Sequence, residues 1–160
     1  MKKGFVFSMI AAISIFTLAC SDQGENMLGE KFDTNKEEYP IEIIVDITKI
    51  AGKSKHQVDE LLGKHTTCEN IKYGEKCYYE KGKTEIVFID GKADWITVND
   101  MGYAPYSSKA LEYLGISQRK PYFESKENGI RWNNIHGLRE VLISPSGSYI
   151  FYAYIKAYTK

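Results

Sequence analysis

Apolar and polar residues alternate along several stretches of this chain, and each alternation predicts a strand. Residues 41–47 read Ile-Glu-Ile-Ile-Val-Asp-Ile, which puts a β-branched residue at each odd position. Because side chains two apart share a face of an extended backbone, this stretch is predicted to be a strand. A short helical segment is expected over residues 47–51, and Gly52 ends it.

The clearest helical pattern spans Lys55–Leu62. Ser54 and Gln57 have the spacing of a capping box, in which each side chain bonds the other residue's backbone. Gly63 follows at the position that often takes a left-handed conformation after a helix. The apolar stripe consists of Val58, Leu61 and Leu62. These features predict a short amphipathic helix.

A β-hairpin is predicted in the middle of the chain. Asp90-Gly91 is a strong two-residue turn signal, and it separates residues 84–89 from residues 92–98. Another strand is expected to open at residues 77–79, followed by a turn at residues 81–83.

The turn length also predicts which side chains of the hairpin are buried. A regular two-residue turn places Phe88 opposite Ala93 and Ile86 opposite Trp95, and these four form the predicted buried face. The predicted opposite face consists of Glu85, Val87, Asp94 and Ile96.

The same order of elements returns in the second half. Residues 112–115, Glu-Tyr-Leu-Gly, match Glu-Leu-Leu-Gly at residues 60–63, and a strand is expected at residues 130–132. A second hairpin is then predicted from residues 138–144 and 149–158.

The predicted fold class is therefore α+β, with short helices packed on one face of an antiparallel sheet. The recurring order favours a tandem α-β-β-β repeat with halves at residues 50–100 and 105–160. The alternative is two unrelated α+β segments that share one sheet.

The N-terminus has the pattern of a bacterial export signal. Lys2 and Lys3 precede an apolar run over residues 4–18, which is short for a membrane span. The run ends in Thr-Leu-Ala-Cys, which resembles the lipobox of bacterial lipoproteins and predicts lipidation of Cys20. Thr17 stands where that pattern usually has Leu, and an ordinary cleaved signal peptide is the alternative.

These features divide the chain into a predicted signal peptide at residues 1–19, a lipidated cysteine with a flexible tether at residues 20–40, and one domain at residues 41–160. The tether is polar and charged, and a coil of this length spans roughly 25 Å. The expected location is the bacterial cell envelope, with the lipid in the outer membrane and the domain facing the periplasm.

The charge of the chain argues against nucleic acid as a partner. Basic and acidic residues are balanced at 21 each, and removal of the signal takes away two lysines. A nucleic-acid-binding domain usually carries a clear excess of basic residues. The expected partners are the membrane, through the lipid on Cys20, and a protein that the sequence does not identify.

The three cysteines agree with export. If Cys20 carries lipid, Cys68 and Cys77 remain as an even pair, which in an exported chain indicates a disulfide. Two alternatives stay open, namely free thiols and a zinc site completed by His56 and His65. The spacing of the two cysteines is longer than in zinc knuckles.

Two segments resemble a known family. Residues 52–63, Gly-Lys-Ser-Lys-His-Gln-Val-Asp-Glu-Leu-Leu-Gly, resemble the G-x-[ST]-x-x-x-V-x-x-x-x-G helix of the small outer-membrane assembly lipoproteins of the BamE, SmpA and OmlA group. Lys53 is inserted relative to that pattern. Residues 85–92, Glu-Ile-Val-Phe-Ile-Asp-Gly-Lys, resemble the group's strand and turn, roughly LTVxFDxDGK.

The chain also resembles the β-lactamase inhibitor protein, which has this architecture in two tandem copies. In that protein the helix is followed by a Cys, a loop and a second Cys at the start of a strand, and Cys68 and Cys77 stand in matching places. The resemblance covers residues 50–98 by sequence and residues 105–158 only by the order of elements. It implies a domain that binds proteins and does not catalyse.

No motif in the chain predicts catalysis, a metal or a cofactor. His56, His65 and His136 are expected to be surface or structural residues. Gly-x-Ser-x-Gly is absent from the sequence, and so is a glycine-rich phosphate loop. We therefore predict that the protein is not an enzyme.

Aromatic residues supply the candidate binding surface. They are 13% of the chain, and Tyr is common in protein-binding surfaces. In the last strand, alternation puts Tyr152, Tyr154 and Tyr158 on one face, and Phe151 and Ile155 on the other, which is expected to be core. The predicted protein-binding surface consists of Trp132, Tyr152, Tyr154 and Tyr158.

The leading functional prediction is a membrane-anchored lipoprotein that acts as a protein-binding or envelope scaffold module. One alternative is an inhibitor or immunity lipoprotein that neutralises a toxin or hydrolase. A third alternative is a cell-envelope hydrolase.

Overall fold

The structure, a computed structural model, describes residues 41–159. The signal peptide, Cys20 and the tether lie outside these residues. Two α-helices come first, α1 at Ile47–Ile50 and α2 at Lys55–Leu62, and 3₁₀ segments lie at Lys81–Lys83 and Ser108–Leu114. The strands are β1 Thr67–Ile71, β2 Gly74–Tyr79, β3 Thr84–Ile89, β4 Lys92–Val98, β5 Phe123–Ser125, β6 Gly129–Ile135, β7 Leu138–Ser146 and β8 Tyr149–Ala157.

All eight strands form one antiparallel sheet, in the order β1-β2-β3-β4-β8-β7-β6-β5. Each half of the chain contributes four consecutive strands, and the two sets meet through β4 and β8. The fold is therefore α+β and dominated by its sheet. Among residues 41–159, no helix is both long and apolar enough to cross a bilayer.

One face of the sheet is buried in a continuous hydrophobic core. Ile86 pairs with Ile96, Ile96 with Ile155, Ile155 with Val141, and Val141 with Trp132, and all five side chains are fully buried. The same core contains the helical residues Ile47, Ile50, Val58, Ala110, Leu111 and Leu114. The helices are short, so burial of these side chains rather than intrinsic propensity holds them in place.

The hairpin of β3 and β4 has the predicted boundaries, but its faces differ from the prediction. Phe88 pairs with Ala93, whereas Val87 pairs with Trp95, so Asp94 is an extra residue in a β-bulge. The bulge reverses the alternation beyond it. Consequently Ile96 is fully buried and Trp95 is only half-buried on the opposite face, which corrects the prediction for both residues.

The hairpin of β7 and β8 also contains a β-bulge. Pro145 pairs with Ile150 and Ser144 with Tyr152, which leaves Phe151 as the extra residue. Phe151 is 63% exposed, so the prediction that it belongs to the core is wrong. Ile155 lies beyond the bulge and is fully buried, as predicted.

Residues 41–46 do not form the predicted strand. The N–H of Ile44 donates to the carbonyl of Tyr113 over 2.9 Å, beside the 3₁₀ segment of the second half. Val45 packs within the core, while Ile43 is half exposed. A Cβ added at Gly115 would approach the Asp46 carboxylate to 2.7 Å, so the segment lies tightly against this glycine. Val45 is therefore buried without any strand pairing.

The helices predicted at residues 47–51 and 55–62 are both present, as α1 and α2. α2 has the predicted boundaries, and its capping box between Ser54 and Gln57 is formed. Ser108–Leu114 is a 3₁₀ helix, and Gly115 follows it in the left-handed conformation. Two short strands, β1 and β5, had no clear pattern in the sequence and form the edges of the sheet.

A short bridge ties each helical region to its neighbouring hairpin. Ser54, the cap of α2, pairs with Lys92 at the start of β4. Pro105, ahead of the 3₁₀ helix, pairs with Tyr149 at the start of β8.

Candidate functional site

The second face of the sheet carries one row of side chains that crosses all eight strands. Each residue in the row pairs directly with the next, and every one is half-buried or exposed. In spatial order the row consists of Thr67, Tyr78, Glu85, Thr97, Tyr154, Leu142, Arg131 and Phe123. We call this row, together with Trp95 and Lys156 beside it, the open face.

Three of the four residues predicted as a binding surface are accessible. Tyr154 belongs to the open face, and Tyr152 lies two residues before it and is also half-buried. Tyr158 follows β8, is 53% exposed, and donates a hydrogen bond from its hydroxyl to Asn134 Oδ1. Burial, and then the nearby carboxylates of Glu140 and Asp94, raise the pKa of the Tyr154 hydroxyl, so it stays a neutral hydrogen-bonding group.

Trp132 is not part of this surface. Its side chain is fully buried, and its indole Nε1–H donates to the Arg119 carbonyl over 2.8 Å. The prediction that Trp132 contributes to a protein-binding surface is therefore corrected, because its place in β6 directs the ring into the core opposite Val141.

Cations cover several of the aromatic rings on the open face. Lys156 Nζ lies 4.7 Å from the centre of the Trp95 ring, and Arg131 lies 5.9 Å from the centre of the Phe123 ring. Such contacts hold long cationic side chains against apolar surface while their charges stay near solvent. The open face therefore presents rings and charges side by side, which is typical of protein interfaces rather than of a dry core.

A charged cluster lies at the β2 end of the open face. Lys76 Nζ is 2.9 Å from Glu69 and 5.0 Å from the centre of the Tyr78 ring. Hydrogen bonding with Tyr78 and Glu69 raises the pKa of Lys76, and hydrogen bonds from Lys76 and Tyr78 lower the pKa of Glu69. Both groups are therefore charged over the physiological pH range.

A second aromatic group, which the sequence prediction missed, lies beside the β7–β8 turn. Tyr103 is 90% exposed, and its ring centre is 6.2 Å from that of Tyr149. Phe151 contacts Tyr152 at 5.5 Å between ring centres. We call Tyr103, Tyr149 and Phe151 the hairpin-tip aromatics. The bulge exposes Phe151, and simple alternation does not predict a bulge.

Cys68 and Cys77 lie at disulfide-bonding distance, as predicted. They are direct cross-strand partners on β1 and β2, with Cα atoms 4.1 Å apart. Cys77 is fully buried, so the bridge ties the edge strand to the core side of the sheet. Glu75 lies close to both sulfur atoms, but bridged sulfurs are not available as thiolate ligands for a metal.

Two histidines have carboxylate partners that the sequence prediction missed. His65 Nδ1 is 3.1 Å from Asp59 Oδ1, and the hydroxyl of Tyr79 donates to the same oxygen over 2.9 Å. His56 Nδ1 is 3.5 Å from Glu60, one helical turn away. Tyr79 is almost fully buried, so the cluster of His65, Asp59 and Tyr79 braces α2 against β2.

No protein-family model, curated protein or solved structure matches this chain.

Proposed function

We propose that this protein is a non-catalytic protein-binding module of the bacterial cell envelope, and that its open face is the docking surface. The observation that carries the proposal is the continuous row from Thr67 to Phe123, which leaves Thr97, Tyr154 and Leu142 accessible on the central strands of a wide sheet. Accessible apolar surface that is flanked by polar groups is characteristic of protein interaction sites.

The chemistry of the row favours a protein as the ligand. Tyr and Trp supply large contact areas and lose only two side-chain torsions each on binding. The charges of Glu85, Arg131 and Lys156 lie among the aromatic rings, where they set the orientation and the on-rate of a partner. A fully polar face would offer little apolar area to bury on binding, and a fully apolar face would favour aggregation.

We also infer that the two halves are structural repeats, with the helices on the face opposite the docking surface. Each half is a four-stranded meander, and the halves join through their last strands about the Thr97–Tyr154 pair. The bulges at Asp94 and Phe151 each lie three residues after a two-residue turn. These three correspondences support a repeat more strongly than residue identity does.

This arrangement agrees with the architecture implied by the resemblance to the BamE group and the β-lactamase inhibitor protein. In that interpretation the helix of residues 55–62 and the hairpin of residues 84–98 form one copy, and the 3₁₀ helix and the hairpin of residues 138–157 form the second. The resemblance supports a role in protein binding by analogy of fold only.

The proposed location is the outer membrane, with the domain facing the periplasm and held by lipid on Cys20. The basic start and short apolar run before Cys20 support export, and the Cys68–Cys77 pair fits an oxidising compartment.

A photo-crosslinking experiment in intact cells tests the docking surface. A benzophenone amino acid is placed at Tyr154 on the open face or at Leu61, which is 44% exposed on α2. We expect a discrete crosslinked species from position 154 and none from position 61. Equal crosslinking from both positions, or none from position 154, would contradict the proposal.

A matched substitution gives an independent readout. Tyr154→Ala is expected to abolish capture of the partner identified by crosslinking, whereas Tyr122→Ala should not, although Tyr122 is 66% exposed. Both variants should keep the circular dichroism spectrum of the parent. Loss of capture in both variants would show that exposed tyrosines contribute without regard to position.

The hairpin-tip aromatics favour the inhibitor or immunity alternative as the second candidate. Tyr103 and Phe151 project at one end of the sheet and are suited to fill a cleft in an enzyme. Identification of the crosslinked partner by mass spectrometry separates the two functions. A secreted toxin or hydrolase whose activity falls on binding would favour inhibition, and an assembly component would favour a scaffold.

A further inference from the structure

A cleft at the end of the β3–β4 hairpin contains a carboxylate with one oxygen that accepts no hydrogen bond. The cleft has a volume of about 540 Å³ and is lined by Asp94, Trp95, Arg139, Lys156 and Tyr158, among others. A volume of several hundred cubic ångströms is typical of small-molecule sites. This cleft shares Trp95 and Lys156 with the open face, whereas Asp94 and Arg139 lie outside it.

Asp94 is the bulge residue of β4, and the bulge buries it. Only 5% of the residue is exposed. Its Oδ2 accepts a hydrogen bond from the hydroxyl of Thr159, whereas its Oδ1 is buried with no hydrogen-bond partner. A buried carboxylate is normally paired with a cation or fully hydrogen-bonded, so Asp94 has one acceptor position left to fill.

The neighbouring residue, Trp95, carries a hydrogen-bond donor in the same cleft. The indole Nε1–H of Trp95 is a donor, and it is also buried without a partner. A donor and an acceptor on consecutive residues of one cleft can both be satisfied by a ligand that carries both kinds of group.

Two cationic side chains in the cleft favour a ligand that carries an acidic group. Arg139 is the extra residue of a bulge in β7, and Lys156 lies across from Trp95 on β8. In the part of the chain that the structure describes, neither side chain forms an ion pair with a carboxylate. Both line the cleft, so an acidic group on a ligand would meet two cations there, and Arg can bind it through two parallel hydrogen bonds.

We propose that this cleft binds a small zwitterion, a molecule with a primary ammonium group and an acidic group. The ammonium donates to Asp94 Oδ1, and the acidic group accepts from Trp95 Nε1 and pairs with Arg139 and Lys156. Thr159 already donates to Asp94 Oδ2, so Oδ1 is the oxygen left for the ligand's ammonium group. Amino acids or short peptides and phosphoethanolamine headgroups share this chemistry.

The two tryptophans make a direct test. The full chain, labelled with ¹⁵N and solubilised in detergent, is titrated with alanylalanine, phosphoethanolamine, propionate and ethylamine while the indole N–H signals are followed. We expect at least one of the two zwitterions to shift the Trp95 signal saturably. Trp132, whose indole is bonded to Arg119, is the internal control and should not move. Propionate and ethylamine, which have one charge each, should bind more weakly than the zwitterions by roughly tenfold or more.

The pattern of responses identifies the source of the ligand. A response to alanylalanine indicates an amino acid or peptide, and a response to phosphoethanolamine indicates a lipid headgroup. If no probe shifts Trp95 at millimolar concentration, or if propionate alone binds as well as the zwitterions, the proposal is wrong.

Substitutions locate the charges. Asp94→Asn should weaken zwitterion binding by roughly tenfold while the weak response to propionate remains, because only the ammonium loses its partner. Arg139→Gln, at an exposed position, should weaken zwitterions and propionate together, so the test holds even if Asp94→Asn does not fold. Lys126→Gln is the control for loss of one exposed cation. Unchanged binding in Arg139→Gln, or an equal loss in Lys126→Gln, would overturn the assignment.

Discussion

At the residue scale, the carboxylates of Asp59 and Asp94, which are partly and almost fully buried, have different hydrogen-bond partners. Asp59 accepts hydrogen bonds from His65 and Tyr79 at the junction of α2 and β2. Asp94 has only Thr159 on one oxygen and leaves the other unpaired. A paired carboxylate stabilises the fold, whereas an incompletely paired one marks a place where a ligand can be stabilising.

The pH dependence of stability tests the Asp59 cluster. Burial alone would raise the pKa of Asp59, but hydrogen bonds with His65 and Tyr79 outweigh it and hold the pKa below its ordinary value of 3.8. A depressed pKa in the folded state contributes stability that is fully present above the unfolded value and is lost as the pH falls through the folded value. Urea unfolding followed by circular dichroism should therefore show a stability loss below about pH 4.

Removal of the Asp59 charge should reduce the loss of folding stability at low pH. Asp59→Asn is expected to lower stability at neutral pH by about 1–3 kcal/mol, because the buried Tyr79 hydroxyl and His65 lose a charged acceptor. Glu60→Gln is the matched control on the same helix, and its side chain is 65% exposed. If Glu60→Gln flattens the profile as much as Asp59→Asn, the cluster is not its source.

At the element scale, β-bulges determine which side chains of each hairpin are buried and which are exposed. Strand alternation fixes faces only while the register is continuous, and one extra residue transfers every later side chain to the other face. In β4 the extra residue is a carboxylate that is buried in the cleft, and in β8 it is a phenylalanine that is exposed. The same backbone device therefore produces a polar pocket in one half and an aromatic protrusion in the other.

The edge strand β1 depends on the disulfide more than on packing. Its five residues are half-buried or exposed, so burial contributes little to its attachment. Non-reduced peptide mass spectrometry of the exported protein should show Cys68 linked to Cys77. Replacement of both cysteines by alanine should lower stability by about 2–3 kcal/mol, since the closed loop is short.

A second measurement separates loss of the edge from global unfolding. Hydrogen exchange in the variant that lacks Cys68 and Cys77 should accelerate at the amides of β1 while β4 and β8 stay protected. Two alkylated thiols in protein taken from the periplasm, or uniform loss of protection, would contradict this account.

At the scale of the whole molecule, the domain is a wide sheet with one buried and one accessible face. The central pairing of β4 with β8 joins the two halves, so the accessible row is continuous only when both halves are folded. A partner that binds across the row therefore recognises the intact domain. The proposed lipid on Cys20 would place this surface close to a membrane and raise the local concentration of envelope partners.

Metabolic labelling tests the membrane anchor. Wild-type protein is expected to incorporate palmitate and to sediment with membranes, because several acyl chains hold a protein stably on a bilayer. Cys20→Ala should lose the label and the membrane association, whereas Cys68→Ala should keep both. A Cys20→Ala variant that stays labelled and bound would exclude lipidation at this position.

The sequence alone determined the local features of this protein. Residues 54–57 form their own capping box, and Asp90-Gly91 fixes a two-residue turn, so both elements have the predicted boundaries. Of the predicted apolar stripe only Val58 is fully buried, Leu61 is exposed, and Gly63 does not take the left-handed conformation. The cysteine count predicted the Cys68–Cys77 pair. The helix and the turn depend on residues that are near one another in the chain. The disulfide prediction depends only on the even number of cysteines that remain when Cys20 is set aside.

Tertiary structure decided which side chains are accessible. The bulge at Asp94 reversed the faces of Trp95 and Ile96, the bulge at Phe151 exposed that ring, and the pairing of β6 with β7 placed Trp132 in the core. Residues 41–46 pack beside the 3₁₀ helix of the other half instead of joining the sheet. Such outcomes depend on contacts between distant segments, whose burial outweighs local alternation. The sequence pattern therefore predicted that Tyr152, Tyr154 and Tyr158 are accessible, but it predicted neither the burial of Trp132 nor the edge strands β1 and β5.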